Sequence, residues 1–346
     1  INDGSVAASD NGITLNDSNI VTNSGTVTSV GGTGIVLDNF NQLDTTGTVT
    51  GGIDGIELGD SNTPVNIGGF VSGGDDGVQA GSNNGIGTYG GVTIRGNDEG
   101  VDILGSNNTF SNNGAVQGDF DLDEDGSGVR SGGDFNVINN NSGDTITGRI
   151  GVEFNNGSDF GDLNNSGTIT GREDMTDSSN NSLSHGVLIA SGFGHDITNY
   201  SNGSIFGDED GIASFGDSND IFNYGLIDGG NSFDNGDGVD ITGNSNRVFN
   251  YGPGGTIFGE DNGIRVSGTS NFIYNTSNNT IEGNDEDGIR FSSGSNLDID
   301  NIDGTIIGWD DGIDIDSGGS VFIFNDGGLI EGRVDDGIES SSSDLN

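Results

Sequence analysis

The feature that most constrains this chain is a Gly followed by Ile or Val that returns about every two dozen residues. It falls at Gly12, Gly34, Gly55, Gly77, Gly100, Gly128, Gly151, Gly186, Gly211, Gly238, Gly263, Gly288, Gly312 and Gly337. Self-similarity at such a period marks a repeat architecture, in which each unit buries its apolar face only by stacking on the next. The unit is clearest in Gly304-Thr305-Ile306-Ile307-Gly308, followed by Asp310-Asp311-Gly312-Ile313-Asp314-Ile315 and then by Val321-Phe322-Ile323-Phe324-Asn325. Each unit holds three short segments in which apolar residues alternate, divided by Gly, Asp, Asn and Ser. Segments this short suit strands; a helix needs about ten residues to show its period. The expected fold is all-β: a parallel β-solenoid of about 14 coils, each of three short strands and about 22–25 residues. It reads as one continuous solenoid over 1–346, with longer loop insertions near 117–127, 172–185 and 230–237.

Composition agrees once the repeat is seen. Only 29% of the residues are hydrophobic and the formal net charge is -47, which alone would suggest disorder. A solenoid needs only alternate strand residues inside, so a thin axial core is enough. All eight basic residues are Arg, and the acid excess argues against nucleic acid and anionic membrane surfaces as partners. No apolar run is long enough to span a bilayer, so membrane insertion is not expected. There is no Cys, which weakens thiol or zinc–thiolate chemistry.

Gly is expected where the turns need positive φ. An Asn closing the third segment recurs at Asn23, Asn66, Asn112, Asn139, Asn164, Asn199, Asn223, Asn250, Asn275, Asn301 and Asn325. Stacked Asn side chains can hydrogen-bond from coil to coil, so these are read as a structural ladder. Phe222, Tyr224, Phe249 and Tyr251 are read as stacked core rather than a sugar platform.

The chain opens at Ile1 without Met or a leader, as a processed or excised segment would. Its two ends are in phase: Ser340 to Asn346 compares with Ser295 to Asn301, and the opening Ile1-Asn2-Asp3-Gly4 with the Ile302-Asp303-Gly304 that follows, so joining Asn346 to Ile1 would complete an almost normal coil. Ile1, Asn2, Leu345 and Asn346 are therefore expected to meet like residues, in a longer solenoid or in copies stacked head to tail.

Asn-x-Gly-x-Ile-x-Gly followed by Asp-Gly-Ile, in tandem in a Cys-free chain rich in Gly and Asn, resembles the β-solenoid passenger regions of bacterial autotransporters and giant secreted adhesins. The resemblance covers essentially the whole chain. It implies an extracellular protein of the cell surface or matrix that works in adhesion, aggregation or matrix building. A glycan or cell-surface receptor would then meet the lengthened loops, Asp119 to Asp125, Arg172 to Ser184 and Asn231 to Asp237.

Chemistry on the solenoid centres on acids. The residue before the repeat Gly is acidic at Asp54, Asp76, Glu99, Asp210, Asp237, Asp287, Asp311 and Asp336, and doubled at Asp75, Asp310 and Asp335. Equivalent positions stack ~4.8 Å apart, so Asp287, Asp310, Asp311, Asp335 and Asp336 form a file of carboxylates. Two readings follow: Ca²⁺, a hard cation suited to oxygen ligands, or a solvated acidic edge. Asp121-Leu122-Asp123-Glu124-Asp125-Gly126 matches the first half of an EF-hand loop. Gly132 stands where the bidentate Glu belongs, so Asp121, Asp123 and Asp125 would need other ligands to complete a Ca²⁺ shell. A polysaccharide lyase or hydrolase is the third reading, since His185 and His195 lie near the longest insertion. Without Lys, and with carboxylate pairs everywhere, the expectation is a non-enzyme in which both His are turn residues.

Overall fold

A computed structural model describes residues 1–118, 126–155, 157–172, 184–230, 236–252, 254–316 and 319–341. These residues are all-β and contain no helix. Every third strand joins the same sheet, and the pairing is parallel throughout. The fold is a β-solenoid of about 13 turns with three strands per coil. The first, second and third strands of the coil number 14, 14 and 13, close to the expected coil count.

Contacts divide the chain into two compact units, one up to Leu163 and one from Asn164. In the first unit a representative coil runs Thr26–Ser29, Ile35–Leu37 and Gln42–Thr45, and the next Thr48–Thr50, Ile56–Leu58 and Val65–Ile67. Val27 stacks on Val49, Ile35 on Ile56 and Leu43 on Val65. In the second unit Ile205, Ile227, Ile257, Ile281 and Ile306 form one column. Ile212, Val239, Ile264, Ile289 and Ile313 form a second, and Ile197, Ile221, Val248, Ile273 and Ile299 a third. All fifteen are essentially fully buried. Their neighbours in sequence point outward, the period-two alternation of a strand. Burying one such side chain stabilises by about 1.5–3 kcal/mol.

Positive φ is found, as expected, at glycines such as Gly69, Gly91, Gly143, Gly192, Gly230, Gly252 and Gly327, but the repeat Gly has another cause. None of the repeat glycines has positive φ. A Cβ on Gly211 would sit 2.6 Å from the carbonyl oxygen of Gly238 and 2.6 Å from Ile227 Cγ2. The same collision, with the next repeat Gly and a β-branched methyl, recurs at Gly34, Gly186, Gly263 and Gly288. Among non-Gly residues, left-handed backbone recurs at the corner before the third strand, at Ser18, Phe40, Ser61, Asn83, Asn107, Phe135, Ser218, Ser245, Ser270 and Asn296.

Two amide ladders tie the corners. At the end of the third strand each Asn Nδ2 donates to Oδ1 one coil on: Asn165 to Asn199 at 2.8 Å, Asn199 to Asn223 at 2.9 Å, Asn223 to Asn250 at 3.0 Å. The series continues through Asn275 and Asn301 to Asn325 at 3.0, 2.9 and 2.9 Å. In the first unit Asn2 donates to Asn23 (2.8 Å), Asn23 to the Thr45 hydroxyl (3.1 Å), and Asn112 to Asn140 (2.9 Å). Asn66, Asn139 and Asn164 do not belong to it: they point outward, and Ile67, Asn140 and Asn165 hold the inward position. In each case the ladder residue lies two after an inward apolar residue, Val65, Ile138 or Leu163, so strand phase selects it.

A second amide ladder precedes the third strand and has no counterpart among the sequence expectations. Oδ1 of Asn41, Asn62, Asn84, Asn108 and Asn136 each accepts the backbone N–H of the previous coil's residue at 2.8 Å. Asn219, Asn246 and Asn271 do the same in the second unit, at 2.9, 2.8 and 2.8 Å. His195, expected in a turn, occupies this position and is fully buried.

The longest connections lie at one corner, between the first and second strands. The Asp210 carbonyl oxygen lies against Gly207, where a Cβ would collide with it. The His185 oxygen stands in the same relation to Gly171 and the Asp237 oxygen to Gly229, although more residues separate those pairs. The corner closes in the same way whether or not it is lengthened.

Candidate functional site

The acids before the repeat Gly form a third ladder, at the entrance to the second sheet. They are not a solvated edge: Asp54, Asp76, Glu99, Asp210, Asp237, Asp287 and Asp311 are all buried. Asp54, Asp76, Asp210, Asp237, Asp287 and Asp311 each receive a backbone N–H of the next coil. Asp54 Oδ1 accepts from Asp76 at 3.3 Å, and Asp76 from Glu99 at 3.2 Å. In the second unit Asp210 accepts from Asp237 at 2.9 Å, Asp237 from Asn262 at 3.1 Å, and Asp287 from Asp311 at 3.1 Å. Asn262 fills one rung with an amide, accepting from Asp287 at 3.2 Å. An amide oxygen thus serves on this rung as well as a carboxylate.

Burial raises the pKa of Asp54, Asp76, Glu99, Asp237 and Asp287 because it disfavours the ionised form. Burial, with the neighbouring Asp76, pushes Asp54 up to about 6. Asp287 is pushed up to about 7 and Asp237 to about 8, again mainly by burial, with Arg265 opposing at Asp237. Asp76 and Glu99 are both raised, first by burial, and their neighbouring carboxyls act on one another.

Arg neutralises part of the remainder, from the outward positions of the second strands. Arg130 reaches Glu99 at 2.5 Å and Asp102 at 2.9 Å. Arg265 bridges Asp237 at 2.8 Å and Asp240 at 2.7 Å. Arg290 binds Glu286 and, at 3.0 Å, Asp316. The ladder acid and the acid three residues later thus form one pincer, as in Glu99 with Asp102 and Asp237 with Asp240.

Of the residues expected to bind cations, Asp287, Asp310 and Asp311 converge, with one oxygen of each within 4.8 Å of the others. Asp335 and Asp336 are exposed and join no such group among the described residues. Asp336 donates its backbone N–H to Asp311 (2.8 Å), while Asp311 converges with Asp314 and Glu339 instead. Sequence reasoning missed Asp314 and Glu339, and also Asp98 and Asp102. For Asp102, Asp314 and Glu339 the available signal was an acid three residues after a ladder acid; Asp98 directly precedes one. Asp121, Asp123, Asp125, Leu345 and Asn346 lie outside the described residues. Ile1 is fully exposed and Asn2 starts the first amide ladder.

A second surface lies outside the third sheet. Phe222, Tyr224, Phe249 and Tyr251 are not core: they are the outward neighbours of Ile221, Asn223, Val248 and Asn250. Phe222 and Phe249 stack with centroids 5.1 Å apart, Phe249 and Tyr251 at 5.4 Å, and Tyr274 meets Tyr251 edge-on at 5.4 Å. A groove of about 690 Å³ beside them is lined by Thr198, Tyr200, Ser201, Phe222, Tyr224 and Gly252.

The fold and ladders define a β-solenoid protein. Comparison with family models, with curated proteins and with solved structures finds no match to this chain.

Proposed function

We propose that the chain is a structural, non-catalytic β-solenoid segment of a secreted protein, acting at the cell surface or in the extracellular matrix. The observation that carries this reading is the repetition of three side-chain ladders around an apolar core, which commits buried polar residues to coil-to-coil bonding. Such bonding resists extension along the stack and accepts a further coil, from more of the same chain or from a second copy added head to tail. Ca²⁺ at Asp287, Asp310 and Asp311 would relieve carboxylate repulsion between neighbouring coils. Electron microscopy of the purified protein in millimolar Ca²⁺ is expected to show end-to-end rods. Short monodisperse particles would overturn the filament, and an unchanged melting temperature on chelation would remove the Ca²⁺.

The outward aromatic strip favours a second reading, an adhesin that binds a glycan or receptor. Tyr and Phe edges beside an open groove suit the apolar faces of sugar rings. Binding to immobilised glycans that is lost in Tyr200→Ala and Tyr224→Ala would select it.

A further inference from the structure

One rung of the acid ladder is a histidine. His185 precedes the repeat Gly186, in the place that Asp210 takes one coil later. Its side chain is 2% exposed. Nδ1 lies 3.3 Å from Asp210 Oδ2 and Nε2 lies 3.7 Å from Glu209 Oε2. Neither ring nitrogen makes a hydrogen bond. A neutral imidazole carries one N–H and one lone pair, and leaving such groups buried and unbonded is costly.

Elsewhere in the acid ladder Arg closes such groups, Arg130 on Glu99 and Asp102, Arg265 on Asp237 and Asp240. At Asp210 and Glu209 an imidazole faces the two carboxylates. One nitrogen of His185 and one oxygen each of Glu209 and Asp210 lie within 4.8 Å of one another. Ligands of a tetrahedral ion at ~2.1 Å are about 3.4 Å apart, so a small adjustment would place all three on one cation. Glu209 is partly exposed and gives solvent access.

We propose that His185, Glu209 and Asp210 form a site for a divalent transition-metal ion, of the Zn²⁺ class, that clips two successive coils together. Imidazole is a ligand for Zn²⁺ and its neighbours and not for Ca²⁺, which takes oxygen. The ion would bring positive charge to the two carboxylates and bond the unpartnered imidazole, and a water completes the shell. The site lies directly after the longest insertion, where an added clip holds the coil that follows.

The test is titration of the whole chain with Zn²⁺, and with Co²⁺ followed by its visible absorption, in the presence of millimolar Ca²⁺. One tight equivalent and a melting temperature raised by Zn²⁺ over chelator are expected. Glu209→Gln, at a partly exposed position, should keep the chelator melting temperature while weakening Zn²⁺ at least tenfold. His185→Asn should abolish the Co²⁺ spectrum, and Asp310→Asn should leave it unchanged. No saturable Zn²⁺ binding in the native chain would overturn the site, as would affinity undiminished in both Glu209→Gln and His185→Asn.

Discussion

At the residue scale, glycine and buried acid carry most of the specificity, and each acts through the neighbouring coil. Gly211→Ala pushes a methyl into the Gly238 carbonyl and the Ile227 side chain. It should destabilise by about 1–3 kcal/mol, read from denaturant unfolding. Gly90→Ala, where the nearest atom to a new Cβ is 4.0 Å away, should stay within about 0.5 kcal/mol. The acids set the pH response. Asp237 and Asp287, at about 8 and 7 when folded, sit far above the ~3.9 of an unfolded Asp. The unfolded chain therefore releases these protons first. Their contribution is fully present below about pH 4 and is lost as pH rises towards 7 and 8. The melting temperature should be higher at pH 5 than at pH 8. Asp287→Asn, copying the amide already present at Asn262, should flatten that slope; an unaltered slope would show that Asp287 is ionised in the fold. The acid positions were legible in sequence because they adjoin the repeat Gly. Their burial was not, because hydrogen bonding to the next coil's backbone is invisible in a one-dimensional pattern.

At the scale of the element, strand phase decides what a residue does. Asn223→Ala removes the acceptor of both Asn199 Nδ2 and the Gly225 N–H, and the donor to Asn250. The expected cost is about 1–3 kcal/mol, with Asn223→Thr milder because Thr45 holds the same position in the first unit. Thermal melts of the two variants check this order. The Gly-Ile period made the three-strand coil readable, and the ladder from Asn199 to Asn325 followed from it. Doublets such as Asn139-Asn140 defeated the reading, since only a fixed register tells which member points inward. The aromatics failed for the same reason: Phe222 and Phe249 look like core until Ile221 and Val248 take the inward phase.

At the scale of the molecule, stability is a sum over coils and the contacts between them. A charge placed in one column, as in Ile257→Asp, should lower amide-exchange protection most in the flanking strands Leu226–Gly229 and Thr280–Gly283. Protection in strands such as Val27 and Val49 occupy should change little. The net charge of -47 opposes any compact state. Raising NaCl from about 10 mM to about 1 M cuts the screening length from ~30 Å to ~3 Å. The melting temperature should climb by several degrees over that range, and a flat profile would show that Arg pairing and protonation already neutralise the fold. The corner between first and second strands closes alike at Gly207 and Asp210, with two residues between, and at Gly229 and Asp237, with seven. Gene-level insertions there are silent to the stack, so this corner is where a lineage can vary what it displays, and where an engineer can graft an epitope, without renegotiating the fold.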